Sequence, residues 1–162
     1  MTTSIPITAA GYEKLKEELR RLKTVERPNV ITEIAEARAY GDLSENAEYH
    51  SAREKQGFIE GRIQELEEKL GRLHVVQYQP GATSDRVVFG CTVQLLDVSD
   101  DSKGEKKSYK IVGDLEADIK VNAISLSSPL AASLINKSKG DIVTVSLPRG
   151  EKDYEIVDIK LA

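Results

Sequence analysis

The chain has one cysteine, Cys91, and no tryptophan. A single thiol excludes an intrachain disulfide and any cysteine-based zinc site. No run approaches the roughly 20 apolar residues that a membrane helix needs. The opening MTTSIPITAAGYEKL lacks a basic start followed by an apolar stretch, so no secretory leader and no membrane partner are expected. Excess positive charge is missing too. The 23 Lys and Arg stand against 27 Asp and Glu, a net charge of −4, which excludes gripping duplex nucleic acid by bulk charge. No glycine-rich loop follows a strand pattern, which argues against a nucleotide-binding enzyme. No serine elbow is visible, His50 and His74 both fall in the helical half, and Cys91 lies in a strand pattern with no evident base. These absences leave a soluble protein, expected in the reducing cytoplasm.

What is there divides into two alphabets. Residues 8–73 are rich in Glu, Lys, Arg, Leu and Ala, and residues 86–161 in Val, Ile, Ser, Thr and Asp. Between them, residues 79–85 (QPGATSD) have loop composition, so the domain boundary is placed there, giving 1–78 and 79–162. Charge does not distinguish the halves, and neither end carries a basic or acidic tail.

The first half reads as a helical hairpin. Thr8 is a good N-cap, and Tyr12, Leu15, Leu19 and Leu22 lay one apolar seam. Pro28 is expected to kink or break that arm, after which Ile31 and Ile34 resume the seam as far as Tyr40. In the second arm Tyr49, Ala52, Gln56, Ile59, Ile63, Leu66, Leu70 and Leu73 alternate spacings of three and four. That period marks a coiled coil. The connection Gly41-Asp42-Leu43-Ser44 is too short for anything but antiparallel arms. The second half reads as strands at 92–95, 108–111, 143–147 and 154–161, the last with a change of phase at Val157. Ser128 and Pro129 open one short helix, 129–135. The expected fold is α+β: an antiparallel two-helix coiled coil, then a small antiparallel sheet packed on one helix.

The segment most suggestive of chemistry is the hairpin end, where Asp42 and Glu45 sit. Asp42-x-x-Glu45 matches a capping box, and acids suit a helix N-terminus. The other reading is half a metal site. Magnesium commonly keeps several waters and one or two protein carboxylates, taking its remaining ligands from a substrate. Two acids on a rod would then be donated to another molecule's active site.

Gly41-Asp42-Leu43-Ser44-Glu45-Asn46-Ala47-Glu48-Tyr49, with Ala52-Arg53-Glu54-Lys55-Gln56 and Glu60-Gly61-Arg62-Ile63, closely resembles the bacterial Gre transcript-cleavage factors. The likeness continues through Arg86-Val87-Val88-Phe89-Gly90, Tyr109-Lys110-Ile111-Val112-Gly113, Glu116-Ala117-Asp118 and Ile124–Leu130, in order along the chain. The resemblance implies a partner, bacterial RNA polymerase, whose secondary channel receives the coiled coil. It implies that Asp42 and Glu45 help hold a catalytic Mg²⁺ with the polymerase and activate water, and that the polymerase then cuts the backtracked RNA 3′ end. The factor itself is no enzyme and is expected to be monomeric when free. Carried over by residue, Arg38 and Arg53 face RNA or the channel wall. Ser127, Ser128 and Pro129 press on the channel rim. The C-terminal domain would be FKBP-like. Many family members have Lys where this chain has Ser44. For the arginines an ordinary solvated face is the alternative, and for Ser128 a simple helix cap. Two other functions stay open: a channel-occupying regulator that does not stimulate cleavage, and an FKBP-like prolyl isomerase or chaperone. Against the latter, residues 79–162 hold only Phe89, Tyr109 and Tyr154 as aromatics.

Overall fold

The computed structural model describes residues 4–99 and 104–161. Its elements in chain order are β1 (Ile5–Thr8), α1 (Ala9–Arg21), a π-helical segment (Leu22–Glu26), α2 (Arg27–Arg38), α3 (Ala47–Leu70), β2 (Leu73–Val76), β3 (Cys91–Asp97), β4 (Lys106–Val112), a 3₁₀ turn (Ile119–Val121), β5 (Ala123–Ser125), α4 (Pro129–Leu134), β6 (Ile142–Leu147) and β7 (Gly150–Leu161). They form two compact units. Residues 12–73 make the helical one; residues 4–11, 74–99 and 104–161 make the other. The division thus falls just upstream of the loop-like residues 79–85, and the segment before the first helix goes with the sheet.

The helical unit is a long-helix hairpin. Arg27 pairs with Glu60, and further along α2 Glu33 pairs with Lys55. Rising numbers on α2 meet falling numbers on α3, so the helices are antiparallel. Their seam packs Val30 and Ile34 against Ala52, Ile59 and Ile63, and Ala37 of α2 and Leu66 of α3 are buried as well. Leu19, Leu22 and Tyr49 pack against it. The period expected for the second arm is the one observed. The first arm departs from its expectation after Leu22: Ile31 is 52% and Tyr40 78% exposed, while Val30 is fully buried.

Pro28 explains the change. Proline has no N–H to give to the carbonyl four residues back, and its ring crowds that turn. The chain answers with the wider π turn at Leu22–Glu26 rather than with a break. A π turn takes up one extra residue, so the seam steps eight residues from Leu22 to Val30 instead of seven.

The second unit holds a five-stranded sheet in the order β5-β4-β3-β7-β6. Cys91, Val93 and Leu95 alternate inward along β3, and with Ile111, Val143, Val145, Tyr154 and Ile156 they form a core closed by Ala131 and Leu134 of α4. The change of phase at Val157 is a β-bulge. Gln94 of β3 faces Asp158 while Leu95 faces Ile156, leaving Val157 as the unpaired residue. Two features depart from the sequence expectation. The sheet is mixed, because β4 and β5 pair in parallel, and β1 and β2 form a second, two-stranded sheet.

Helix α1 begins in this unit. Thr8 caps it as expected, its Oγ1 accepting from the Gly11 N–H at 3.1 Å. In a capping box the residue at Gly11's position would supply a carboxylate that reaches back to the cap. Glycine has none, and Glu116 takes its place. The Glu116 Oε2 accepts the Thr8 N–H at 3.1 Å and the Gly113 N–H at 2.9 Å, and its Oε1 accepts the Thr8 hydroxyl. A Cβ on Gly11 would collide with this carboxylate, and one on Gly113 with the Pro6 carbonyl. Both glycines are there for close approach.

Candidate functional site

Helix α2 closes at Arg38 and α3 opens at Ala47. The connection turns at Gly41, whose φ of 110° suits glycine. Asp42 and Glu45 are both exposed on it. They do not form the capping box that their spacing allowed. The N-cap of α3 is Asn46, whose Oδ1 accepts from the Tyr49 N–H at 3.0 Å. Asp42 instead makes a local turn: its Oδ1 accepts the Ser44 N–H at 3.0 Å and the Ser44 hydroxyl at 2.8 Å. These bonds hold the Asp42 carboxyl below its ordinary range, the hydroxyl contributing most. At neutral pH it is a carboxylate with one oxygen engaged locally.

Arg38 lies at the end of α2 with its guanidinium 5.9 Å from the Tyr49 ring centre. Arg53 stands four residues after Tyr49, hence on the same face of α3, and its Nη1 donates to Gln56 at 2.9 Å. Arg38, Tyr49 and Arg53 therefore share one side of the hairpin near its acidic end. Both arginines are exposed.

In the sheet unit, Ser128 caps α4, its Oγ accepting from the Ala131 N–H at 3.2 Å, and Pro129 takes the first helical position. Ser127 and Pro129 are exposed, and Ser128 is half-buried. Asp114 shapes the loop: its Oδ1 accepts the hydroxyls of Ser125 and, at 2.8 Å, Ser127. Those bonds hold the Asp114 carboxyl below its usual range, Ser125 first.

Two residues escaped the sequence reading. Asn46 was legible, since Asn is among the best N-caps and helix-forming residues follow it; the carboxylates beside it drew the assignment away. Asp114 was not, because its partners lie on another element. Among the described residues no group of three or more His, Cys, Asp or Glu is arranged to hold a metal ion. Cys91 is buried, and burial pushes its thiol pKa up, away from reactivity. Tyr154 is in the sheet core with Phe89 and Tyr109 packed against it, so these aromatics are spent on packing. No helix is long and apolar enough to cross a membrane, among the described residues.

The helical hairpin with acids at its turn and the mixed sheet with one short helix each match a model of the same class of protein, the transcription elongation factors. Residues 5–75 match the family model described as "Transcription elongation factor, N-terminal", and residues 82–161 match "Transcription elongation factor, GreA/GreB, C-term". The chain belongs to the GreA/GreB family of transcription elongation factors. It is 56% identical to the transcription elongation factor GreA of Thioalkalivibrio sulfidiphilus, over 96% of both chains. It is 55% identical to that of Pelobacter propionicus, over 99% of both. Among solved structures, Thermus aquaticus Gfh1 aligns with 97% of this chain and 98% of its own, at 26% identity and a TM-score of 0.42.

Proposed function

We propose that this elongation factor docks on bacterial RNA polymerase, inserts its hairpin into the secondary channel, and stimulates the polymerase's own cleavage of a backtracked RNA 3′ end. One observation carries the reading. Asp42 and Glu45 are exposed at the hairpin's turn, and Asp42 is held charged by Ser44 rather than consumed in a helix cap. Among the described residues Asp42 and Glu45 belong to no metal-holding group of three or more His, Cys, Asp or Glu, so a Mg²⁺ on these two carboxylates would take its remaining ligands from the polymerase and the RNA phosphate. Asp42 and Glu45 would hold the ion jointly with the polymerase, where it would supply charge stabilisation and water activation for phosphodiester cleavage.

The chain's own residues do the rest. Asp42 offers its second carboxylate oxygen, and Glu45 offers a carboxylate that accepts a proton or orients water. Arg38 and Arg53 present positive charge to phosphate from one side of the hairpin. Ser127, Ser128 and Pro129, on a loop stiffened by Asp114, supply the docking contact at the channel rim.

Asp42→Asn with Glu45→Gln is expected to abolish stimulated cleavage in stalled elongation complexes while the protein still competes for the channel. Normal stimulation by that double variant overturns the metal-sharing mechanism. Competition by the unaltered protein, with no cleavage, would point instead to a channel-occupying regulator. Replacing Ser127 and Ser128 with glutamate is expected to weaken polymerase binding at unchanged folding stability, and unchanged affinity would remove that loop from the interface. Prolyl isomerase turnover that survives removal of residues 12–73 would favour the isomerase reading, which the packed aromatics disfavour.

A further inference from the structure

We infer that Asn46 is a positioning residue: its carboxamide clasps the two helices across the turn and thereby holds the backbone that presents Asp42 and Glu45. The inference rests on the proposed role of those two acids. Asn46 is half-buried, between exposed neighbours. Its Oδ1 accepts the Tyr49 N–H at 3.0 Å, satisfying an orphan donor in the first turn of α3. Its Nδ2 donates to the Ala37 carbonyl of α2 at 2.6 Å. The same carbonyl also accepts the Tyr40 N–H at 3.2 Å, so the exit of α2 and the entry of α3 meet at one oxygen.

The turn has little else to fix it. Residues 41–45 are all exposed, and Leu43, its single large apolar side chain, is 37% exposed. The Asp42–Ser44 bonds shape the turn internally but do not reach either helix. Glu45 is bonded directly to the clasp residue, and Asp42 lies four residues before it. Displacement of the acids is therefore limited by Asn46 at one end and by the last turn of α2 at the other.

The chemistry demands this side chain. The clasp needs an acceptor and a donor on separate atoms at short reach. Aspartate accepts but cannot donate to a carbonyl when ionised. Serine caps a helix through one oxygen and is a bond shorter. Glutamine has both groups but an extra methylene and more rotamer freedom. Asn46→Asp therefore keeps the cap and loses the bridge, which separates a merely structural role from a positioning one. Asn46→Ser does the same without adding charge beside the acids.

The test uses the full chain. Backbone ¹⁵N relaxation at Leu43, Ser44 and Glu45 reports order in the free protein, and helix content by circular dichroism checks folding. Stimulated cleavage is titrated to saturation in parallel. Both variants are expected to keep their helix content, to lower the order parameters at the turn, and to reduce the maximal cleavage rate by about 10- to 100-fold. The concentration giving half-maximal effect stays unchanged, because docking residues are untouched. Variants with wild-type order at the turn, or with full maximal rate, overturn the clasp. If Asp42→Asn/Glu45→Gln still stimulates cleavage, the functional reading is what failed, and the relaxation data alone then judge whether Asn46 orders the turn.

Discussion

The two units are stabilised by different means. In the sheet unit Val87, Cys91, Val93, Leu95, Ile111, Leu134 and Ile156 are fully buried. In the helical unit the seam is a single line, narrowed to alanine at Ala37 and Ala52 toward the turn, and flanked by exposed ion pairs such as Arg27–Glu60 and Lys55–Glu33. The first arrangement excludes water from a volume and the second only from a stripe. The residues with candidate chemistry sit on the second, and there the hydrogen bonds of Asn46 and Asp42 do what packing does elsewhere. With no room for a core, a slender element has only local polar geometry of this kind with which to fix its end.

That contrast can be broken by experiment. The largest effect belongs to the sheet core. Ile156→Ala should cost about 2–5 kcal/mol, near the upper end because its neighbours are fixed on two sides. Ile59→Ala, on the seam, should fall near the lower end, since a two-helix stripe collapses more easily. Urea melts of the two variants measure this, and equal losses would erase the distinction. Next comes the cap of α1. Glu116→Ala removes the carboxylate that serves Thr8 and Gly113, at about 1–2 kcal/mol. Gly11→Ala displaces the same carboxylate but regains about 1 kcal/mol of helix propensity. Its melting temperature should therefore lie between those of the parent and Glu116→Ala. Acid should act on the helical unit through its ion pairs. Glu17, Glu60 and Glu65 are held below the usual glutamate range, chiefly by hydrogen bonds from Arg20, Arg27 and Lys69 respectively. Groups with lowered native pKa stabilise above their unfolded value, and that contribution fades as pH falls through the native one. Circular dichroism at 222 nm, followed during melts from neutral to acidic pH and in raised salt, should show a modest loss, because exposed pairs are screened. The smallest change is Ser44→Ala: the Asp42 titration midpoint, read by carboxyl NMR, moves up toward the ordinary range.

Patterns that repeat along the chain were legible. The 3-4 spacing of Ala52, Ile59, Ile63 and Leu66 gave the buried face of α3, and the break in alternation at Val157 was the imprint of a bulge. Ser128 and Pro129 announced α4. What was lost depended on partners remote in sequence or on a choice between neighbours. Nothing near Thr8 reveals that Glu116, 108 residues away, completes its cap. Three residues, Ala123–Ser125, are too short to declare a parallel strand. Pro28 signalled a disturbance without saying whether the chain would kink, break or widen. At the turn, three residues able to cap lie within five positions, and local spacing favoured Asp42 over Asn46.

The widened coil at Leu22–Glu26 also sets an azimuth. Each residue of an α-helix advances the direction of its side chains by about 100°, so one surplus residue dials everything downstream to a new heading. Deleting Thr24 would shorten the step from Leu22 to Val30 to seven residues, so that an unbroken α-helix keeps Val30 on the seam, whereas closing the π turn with every residue retained would rotate Val30 about 100° away from α3. The bearing of the acids is thus written some twenty residues before them, in a stretch that touches none of the chemistry.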